Sequence, residues 1–173
     1  MHKCTRKIII CDYNKYKVNS IYHILWGDIL VRMEKSIVIK VPPENVWETL
    51  ALDRWPEWME GWKNAQYTSE VQTPKDKYEV GATAHIIGPE EFDAEITESL
   101  ENKKFTFHAK VPRMEFTMTS TLESVDEGTK YTHVIDAELP WGVFGKFLGR
   151  VMRGMGEKEA AKSLEKLKSI LEK

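Results

Sequence analysis

The stretch RMEFTMTSTLES, residues 113–124, alternates between two kinds of side chain along its whole length. One set is mainly apolar and consists of Met114, Phe116, Met118, Ser120 and Leu122. Glutamate or threonine fills the positions between them. This alternation predicts a β-strand with one face on a core and the other in water. Strands of this type are typical of antiparallel sheets.

Further strand-like segments lie on both sides of this one. The predicted strands cover residues 34–41, 64–72, 80–87, 91–99, 103–110, 113–124 and 129–139, of which 64–72 is the weakest. Short turn signals separate them, among them Gly88-Pro89-Glu90, Glu101-Asn102 and Asp126-Glu127-Gly128. Short turns between alternating strands predict an antiparallel meander.

Helical signals stand at the two ends of this series. Pro43 suits the first turn of a helix that carries Val46, Trp47 and Leu50 inward. In the stretch DRWPEWMEGW, residues 53–62, Asp53 is a candidate cap for a second short helix, which Gly61 would end. Three tryptophans in this stretch predict a helical corner that serves packing or binding, because an indole cannot do acid–base chemistry.

Residues 141–172 predict one long helix after Pro140. Its first half carries an apolar stripe, formed by Trp141, Phe144, Leu148, Val151 and Met155. The stripe of its second half is formed by Ala160, Leu164, Leu167 and Leu171. The two stripes are out of register, which predicts a kink or a change of partner at Gly154-Met155-Gly156.

The order of elements predicts an α+β fold. A curved antiparallel sheet of six to seven strands has an apolar face that must be covered. The terminal helix is the only predicted element that is long enough to cover it.

The composition favours one soluble globular domain. The 173 residues include 25 Lys and Arg against 27 Asp and Glu. A net charge close to zero argues against nucleic acid as the main partner, since that binding depends on neutralising phosphates. No apolar run is long enough to span a bilayer, and the run Ile8–Cys11 is too short for a secretory signal. We therefore expect a cytoplasmic protein.

The first 32 residues differ from the rest of the chain. They hold six Lys and Arg against two Asp, and also both cysteines, Cys4 and Cys11. Their apolar pattern is irregular, so we interpret residues 1–32 as an N-terminal appendage of uncertain role and residues 33–173 as the domain. Translation from upstream of a true start at Met33 would produce such an appendage. The alternative is that residues 1–32 add an edge strand and a short helix.

Motifs for metal, nucleotide or triad chemistry do not occur in the sequence. The strand carboxylates Asp93, Glu95, Glu115, Asp136 and Glu138 alternate with apolar residues, which indicates a solvated face. We predict no metal site, no cofactor and no catalytic residue.

The chain resembles the START-like, or SRPBCC, superfamily, in particular its polyketide cyclase/dehydrase and lipid-transport group. The order of elements, the corner RWPEW at 54–58 and the terminal helix FGKFLGRVMRGMGEKEAAKSLEKLK at 144–168 carry the resemblance. It covers about residues 34–172. It implies the helix-grip fold, with a hydrophobic cavity between a curved sheet and the long helix. Members bind lipids, sterols, quinones or polyketides, and some are enzymes without a common catalytic set.

The resemblance implies that the cavity wall comes from the tryptophan corner, the inward strand faces and the first half of the last helix. The candidate ligand-binding residues are Trp58, Trp62, Phe105, Phe107, Met114, Phe116, Met118, Tyr131, His133, Phe144, Leu148 and Val151. Trp55 is a packing residue in this interpretation. The tryptophans, aromatics and methionines of this set could also simply fill the core.

His133 is the most interesting polar residue on the inward faces. A buried imidazole needs hydrogen-bond partners. It could be a core histidine bonded to Tyr131, Ser120 or the backbone, a group that orients a ligand, or a general acid or base.

The first functional hypothesis is binding or transport of a small hydrophobic molecule. The second is a cyclase/dehydratase-like enzyme that uses the same cavity, and the third is a partner-binding protein with a packed interior. The stretch FGKFLGRVMRG also raises transient contact with an anionic membrane surface. Neither the ligand nor the oligomeric state follows from the sequence.

Overall fold

The computed structural model describes residues 29–112, 114–139 and 142–173. The strands are β1 (Ile29–Ile39), β2 (Asn64–Tyr67), β3 (Thr83–Ile87), β4 (Glu91–Leu100), β5 (Lys104–Val111), β6 (Met114–Val125) and β7 (Gly128–Leu139). The α-helices are α1 (Pro43–Glu48) and α2 (Gly142–Leu171). Two 3₁₀ helices cover Leu52–Glu57 and Asp76–Tyr78.

The seven strands form one antiparallel sheet in the order β1-β7-β6-β5-β4-β3-β2. The curved sheet and the C-terminal helix are those of the helix-grip fold, which confirms the predicted α+β class. Consecutive strands from β2 to β7 pair with each other, and β1 joins the outer edge of β7. This topology brings the first strand and the last helix to the same end of the sheet.

The first strand begins earlier than its alternation indicated. β1 starts at Ile29 rather than residue 34, and residues 29–32 pair with β7 opposite residues 136–139. The predicted boundary near Met33 therefore falls inside a strand. The sequence pattern of this segment is irregular because Leu30, although apolar, lies on the exposed face with Arg32, while Val31 is buried. Residues 1–28, with Cys4 and Cys11, lie outside the described residues.

The tryptophan corner is helical as predicted, but it is built differently. The segment Leu52–Glu57 is a 3₁₀ helix with Ala51 at its N-cap and no side-chain cap. Asp53 does not cap it, because its carboxylate accepts a hydrogen bond from Lys77 Nζ at 2.5 Å instead. The Trp55 indole donates to Leu50 O at 2.8 Å and the Trp58 indole donates to Thr49 O at 3.1 Å. Both rings are buried, and Trp55 packs edge-on against Phe107 of β5, so the corner is held against the sheet.

The long helix runs without interruption through the predicted kink position. What changes at Gly156 is burial: Val151 and Met155 are exposed, whereas Ala160, Leu164 and Leu167 are buried. The C-terminal half is fixed to β1, since Lys168 Nζ donates to Val38 O at 2.9 Å and Lys40 N donates to Glu172 Oε1 at 2.7 Å. Trp141 lies outside the described residues.

Candidate functional site

A cavity of about 340 Å³ lies between the sheet and α2. This volume is within the range of roughly 300–1,000 Å³ that is usual for small-molecule sites. Its described lining is mainly apolar, and five of the seven methionines of the chain contribute to it. They are Met33, Met59, Met114, Met118 and Met155.

Three neighbouring strands, β1, β7 and β6, form the floor of the cavity. Their register sets Met33 opposite Ile135 and Ile135 opposite Met118, which gives one apolar row across the sheet. A second row joins Val31, Ala137 and Phe116 in the same way. Because side chains on one face recur every second residue, alternation along each strand keeps both rows on the cavity side.

The opposite wall comes from α2 and from the segment that follows the corner. α2 contributes Met155, Gly156, Glu159, Ala160 and Ser163, and the corner segment contributes Met59, Glu60 and Trp62. Ser163 joins the two parts, since its hydroxyl accepts a hydrogen bond from Glu60 N and donates to Glu159 O, both at 2.9 Å. The helix and the corner are therefore held together along one side of the cavity.

The residues at the rim of the cavity are exposed. Met155 is 62% exposed, and Glu60 and Glu159 are also exposed, whereas Ala137, Ala160 and Ser163 are buried. The cavity therefore has an inner apolar part and reaches the surface beside a methionine and two carboxylates.

One imidazole closes the inner end of the cavity. His133 is 1% exposed, and its Nδ1 lies 3.2 Å from the Tyr131 hydroxyl. That hydroxyl is 2.8 Å from Ser120 Oγ. The other ring nitrogen, Nε2, is buried and has no hydrogen-bond partner among the described residues. A buried polar atom without a partner is costly, and Nε2 is such an atom.

Burial also fixes the charge state of this site. Desolvation lowers the pKa of His133 to about 4, because the apolar surroundings disfavour the imidazolium. Desolvation raises the pKa of the Tyr131 phenol, and the hydrogen bond to Ser120 opposes this shift. At neutral pH the imidazole that lines the cavity and the phenol behind it are therefore both uncharged.

Several sequence candidates come together at the cavity. Trp62, Met114, Phe116, Met118 and His133 line it. The hydrogen bond between His133 and Tyr131 that the sequence suggested is present. Tyr131 itself does not line the cavity, but it holds the imidazole from behind.

Other candidates lie elsewhere. Phe105, Phe107 and Trp58 are fully packed core residues and do not line the cavity. Phe107 packs edge-on against Trp55 with ring centroids 5.2 Å apart, which fills the space above it. Val151 is 47% exposed and is not a lining residue. The side chains of Phe144 and Leu148 lie outside the described part of the chain.

Some lining residues were absent from the candidate set. They are Val31, Met33, Met59, Glu60, Ile135, Ala137, Met155, Gly156, Glu159, Ala160 and Ser163. Ile135 and Ala137 follow from the alternation that identified His133. The methionines were a further signal, since flexible thioethers are suited to a wall that must adapt to a ligand.

Comparison with known families gives a match over nearly the whole described domain. The model of the family described as polyketide cyclase/dehydrase and lipid transport matches residues 31–172. The chain belongs to this family. The match begins within β1 and ends at the last residues of α2, so it includes every element that borders the cavity.

Solved structures show the same fold at low sequence identity. A protein of unknown function from Staphylococcus aureus, SA2116, is 11% identical with a TM-score of 0.66, and the alignment covers 84% of this chain and 95% of that one. The ZhuI aromatase/cyclase from Streptomyces sp. R1128 is 13% identical with a TM-score of 0.63, covering 83% and 94%. Protein MLL2253 from Mesorhizobium loti is 19% identical with a TM-score of 0.60, covering 81% and 96%. None of the curated proteins matches the sequence.

Two other features were sought in the described ranges. Within residues 29–112, 114–139 and 142–173, no three His, Cys, Asp or Glu side chains are grouped so that they could hold a metal ion. No helix in these ranges is long and apolar enough to cross a membrane.

Proposed function

We propose that this protein binds or carries a small hydrophobic molecule in the cavity between β1, β7, β6 and α2. The observation that carries the proposal is the cavity of about 340 Å³ with its methionine-rich lining. Burial of apolar ligand surface would supply most of the affinity, at about 25 cal/mol per Å² before the costs of ordering. The family name, which includes lipid transport, agrees with this role.

Two features of the wall suit a ligand more than a packed interior. Methionine side chains can change rotamer at low cost, so the cavity can adapt to the outline of a guest. His133 leaves one buried nitrogen without a partner, which a polar ligand atom would satisfy. A protein whose only role is to dock on partners would gain nothing from keeping this space open.

A cyclase/dehydratase-like reaction in the same cavity is the second candidate, because the family and the ZhuI aromatase/cyclase both carry that activity in their names. Such chemistry needs at least two polar groups that converge on a substrate. Among the described lining residues, the buried polar side chains are His133 and Ser163, and the hydroxyl of Ser163 is already used by Glu60 and Glu159. This arrangement favours binding over acid–base catalysis.

A matched pair of alanine variants tests the binding role. Ala160 is buried and lines the cavity, whereas its neighbour Ala161 is exposed on the same helix. Ala160→Leu should fill part of the cavity and lower the affinity for an apolar ligand by roughly tenfold or more. Ala161→Leu adds the same atoms in water and should leave the affinity unchanged.

The measurement is native mass spectrometry of the purified protein, with organic extraction to identify any molecule that co-purifies. Titration with neutral aromatic compounds, followed by tryptophan fluorescence, gives the dissociation constants of both variants. Trp62 lines the cavity and reports on its contents. The proposal fails if no apolar compound binds, or if the two leucine variants bind equally well.

A further inference from the structure

The outer side of α2 carries an exposed stripe that begins beside the cavity. Val151, Met155, Lys158 and Lys162 follow one another at intervals of four, three and four residues. Because an α-helix turns once in about 3.6 residues, this spacing places the four side chains on one side of it. All four residues are exposed, with Val151 at 47% and Met155 at 62%. We call this set the α2 stripe.

The first turn of the α2 stripe is apolar. Val151 and Met155 lie one turn apart, and Met155 also lines the cavity. A Cβ at Gly154, between them, would meet nothing within 4 Å, so no described element covers that position of the helix. Single exposed apolar residues are common, but neighbouring ones at the rim of a ligand site are typical of an interaction surface. These two side chains therefore fit a partner that offers an apolar environment.

The rest of the α2 stripe is basic. Among the described residues, Lys158 and Lys162 have no carboxylate within ion-pair distance, whereas Arg153 and Lys35 both pair with Glu157, at 2.9 and 3.7 Å. α2 holds seven Lys and Arg against three Asp and Glu, although the whole chain holds 25 against 27. Positive charge is therefore concentrated on this helix, and the partner should be negatively charged as well as apolar.

We propose that the α2 stripe docks on an anionic lipid bilayer and that the cavity then opens at the membrane surface. A helix that lies in the membrane interface buries its apolar side chains at the boundary of headgroups and acyl chains, while its lysines reach the lipid phosphates. The α2 stripe holds both parts on one side. Met155 belongs to the stripe and to the cavity rim, so an apolar molecule could pass between lipid and cavity without crossing water.

The charge distribution of the chain favours a bilayer over a second copy of the protein. A two-fold interface uses the same patch on both copies, so it would bring four lysines together with no carboxylate from the stripe to pair with them. Residues 29–141, which contain the sheet and the corner, hold 12 Lys and Arg against 21 Asp and Glu. An anionic surface therefore repels this part and attracts α2, which orients the protein with the stripe toward the lipid.

The docking should be reversible. Only two apolar side chains of the stripe are available to insert, and Glu60 and Glu159 at the rim of the cavity oppose the approach to anionic lipid. Weak, salt-sensitive association is the behaviour expected of such an interfacial helix. The stripe is separate from the inner part of the cavity, so docking can be measured without knowing the ligand.

Co-sedimentation with lipid vesicles tests the docking surface. The unmodified full-length protein should bind vesicles of phosphatidylcholine that contain about one third of phosphatidylglycerol at least tenfold more tightly than vesicles of phosphatidylcholine alone. High salt should release the protein, because dissolved ions screen the attraction between lysines and lipid phosphates.

Matched substitutions assign the binding to the α2 stripe. Val151→Asp places a charge at its apolar end and Lys158→Glu reverses one at its basic end, and each should weaken binding to the anionic vesicles by about tenfold or more. Val80→Asp and Lys75→Glu are the controls, since Val80 and Lys75 are also exposed but lie between β2 and β3. They change the net charge by the same amounts and should leave vesicle binding unchanged.

Titration with a neutral aromatic compound, without vesicles, separates the docking surface from the ligand site. Val151 and Lys158 do not line the cavity, so Val151→Asp and Lys158→Glu should bind the compound as the unmodified protein does. Equal binding to both kinds of vesicle, or an equal loss in the two controls, would overturn the docking surface and leave the binding function intact. A dimer in sedimentation that Val151→Asp dissociates would also overturn it, because the stripe would then be covered by a second copy. If the aromatic compounds did not bind, the proposed function would fail, and the vesicle measurements would still decide the role of the stripe.

Discussion

The covered face of the sheet is filled over its central strand β5 and hollow over its β1 edge. Over β5, the buried face consists of Phe105 and Phe107, with Trp47 of α1 packed against Phe105 and Trp55 of the corner packed against Phe107. Over β1 and β7, the same face consists of methionine, isoleucine and alanine, and α2 leaves a cavity above it. Alternation along the strands is the same in both regions of the sheet, so what differs is the element that covers each region.

The covering elements differ in how closely they approach. The corner places large rings against the sheet, with Trp55 and Trp62 stacked at 5.3 Å between centroids. α2 lies against β1 through Gly156, where a side chain would overlap the thioether of Met33. Beyond this contact its buried lining residues are small, namely Ala160 and Ser163. Large rings fill the space over β5, and small residues on α2 keep the space over β1 and β7 open.

Two phenylalanines measure this contrast most directly. Phe107 is fully buried under Trp55, whereas Phe116 lies on the neighbouring strand at the cavity. Phe107→Ala should lower the free energy of unfolding by about 4 kcal/mol, since every contact around the ring is lost. Phe116→Ala should cost about half as much, because the side of the ring that faces the cavity has few contacts to lose.

Urea denaturation at pH 7 gives both values. Phe116→Ala should also accept larger ligands than the unmodified protein, whereas Phe107→Ala should not. Equal losses of unfolding free energy for the two substitutions would mean that the cavity is closed in solution. The contrast between the filled region over β5 and the hollow region over β1 and β7 would then not hold.

Acidification should lower the stability of the protein through His133, which lies between the packed region and the cavity. The pKa of its imidazole is lowered to about 4 in the folded protein, from 6.5 in an exposed chain. Between these values the unfolded state binds more protons than the folded state, so stability falls as the pH decreases from about 6.5 toward 4. From pH 7 to pH 5 we expect His133 to contribute a loss of about 2 kcal/mol.

His133→Gln is the control for this pH dependence, since its side chain does not titrate. The difference between the unmodified protein and this variant in unfolding free energy, measured at pH 7 and pH 5, isolates the histidine from the carboxylates. A difference that does not change with pH would show that His133 is accessible to water.

The sequence predicted the sheet far better than the cavity. Strict alternation identified β6 and β7 nearly to the residue, because one polar and one apolar face leave a period of two. It also placed Phe107 and Met118 on the same inward face. It could not show that Trp55 covers the first while the second faces empty space, because that depends on how the corner docks.

The β1 boundary and the capping of the corner were missed for related reasons. At Ile29–Arg32 the strand lies at the sheet edge, where its exposed residues do not form a clean pattern. Asp53 has the residue type of a cap, but Lys77, 24 positions away in the sequence, takes its carboxylate. Contacts between distant segments override the local signals in both cases.

Two glycines of α2 provide the finest comparison between covered and open positions. A Cβ at Gly154 would meet nothing within 4 Å, so Gly154→Ala should stabilise the helix by about 0.5–1 kcal/mol. A Cβ at Gly156 would overlap Met33 Sδ, so Gly156→Ala should lose that gain and leave stability unchanged or about 0.5 kcal/mol lower.

The displaced Met33 side chain has the cavity beside it. We therefore expect Gly156→Ala to weaken ligand binding, whereas Gly154→Ala leaves it unaltered. In a Met33→Ala background, Gly156→Ala should recover the helix-propensity gain relative to Met33→Ala alone, because the overlapping thioether is gone. Thermal denaturation and titration with a neutral aromatic compound measure the two effects. If Gly156→Ala stabilised the protein as much as Gly154→Ala does, α2 would lie farther from β1 than the structure places it. The space over the β1 edge of the sheet would then be wider than the one that Met33 and Gly156 enclose.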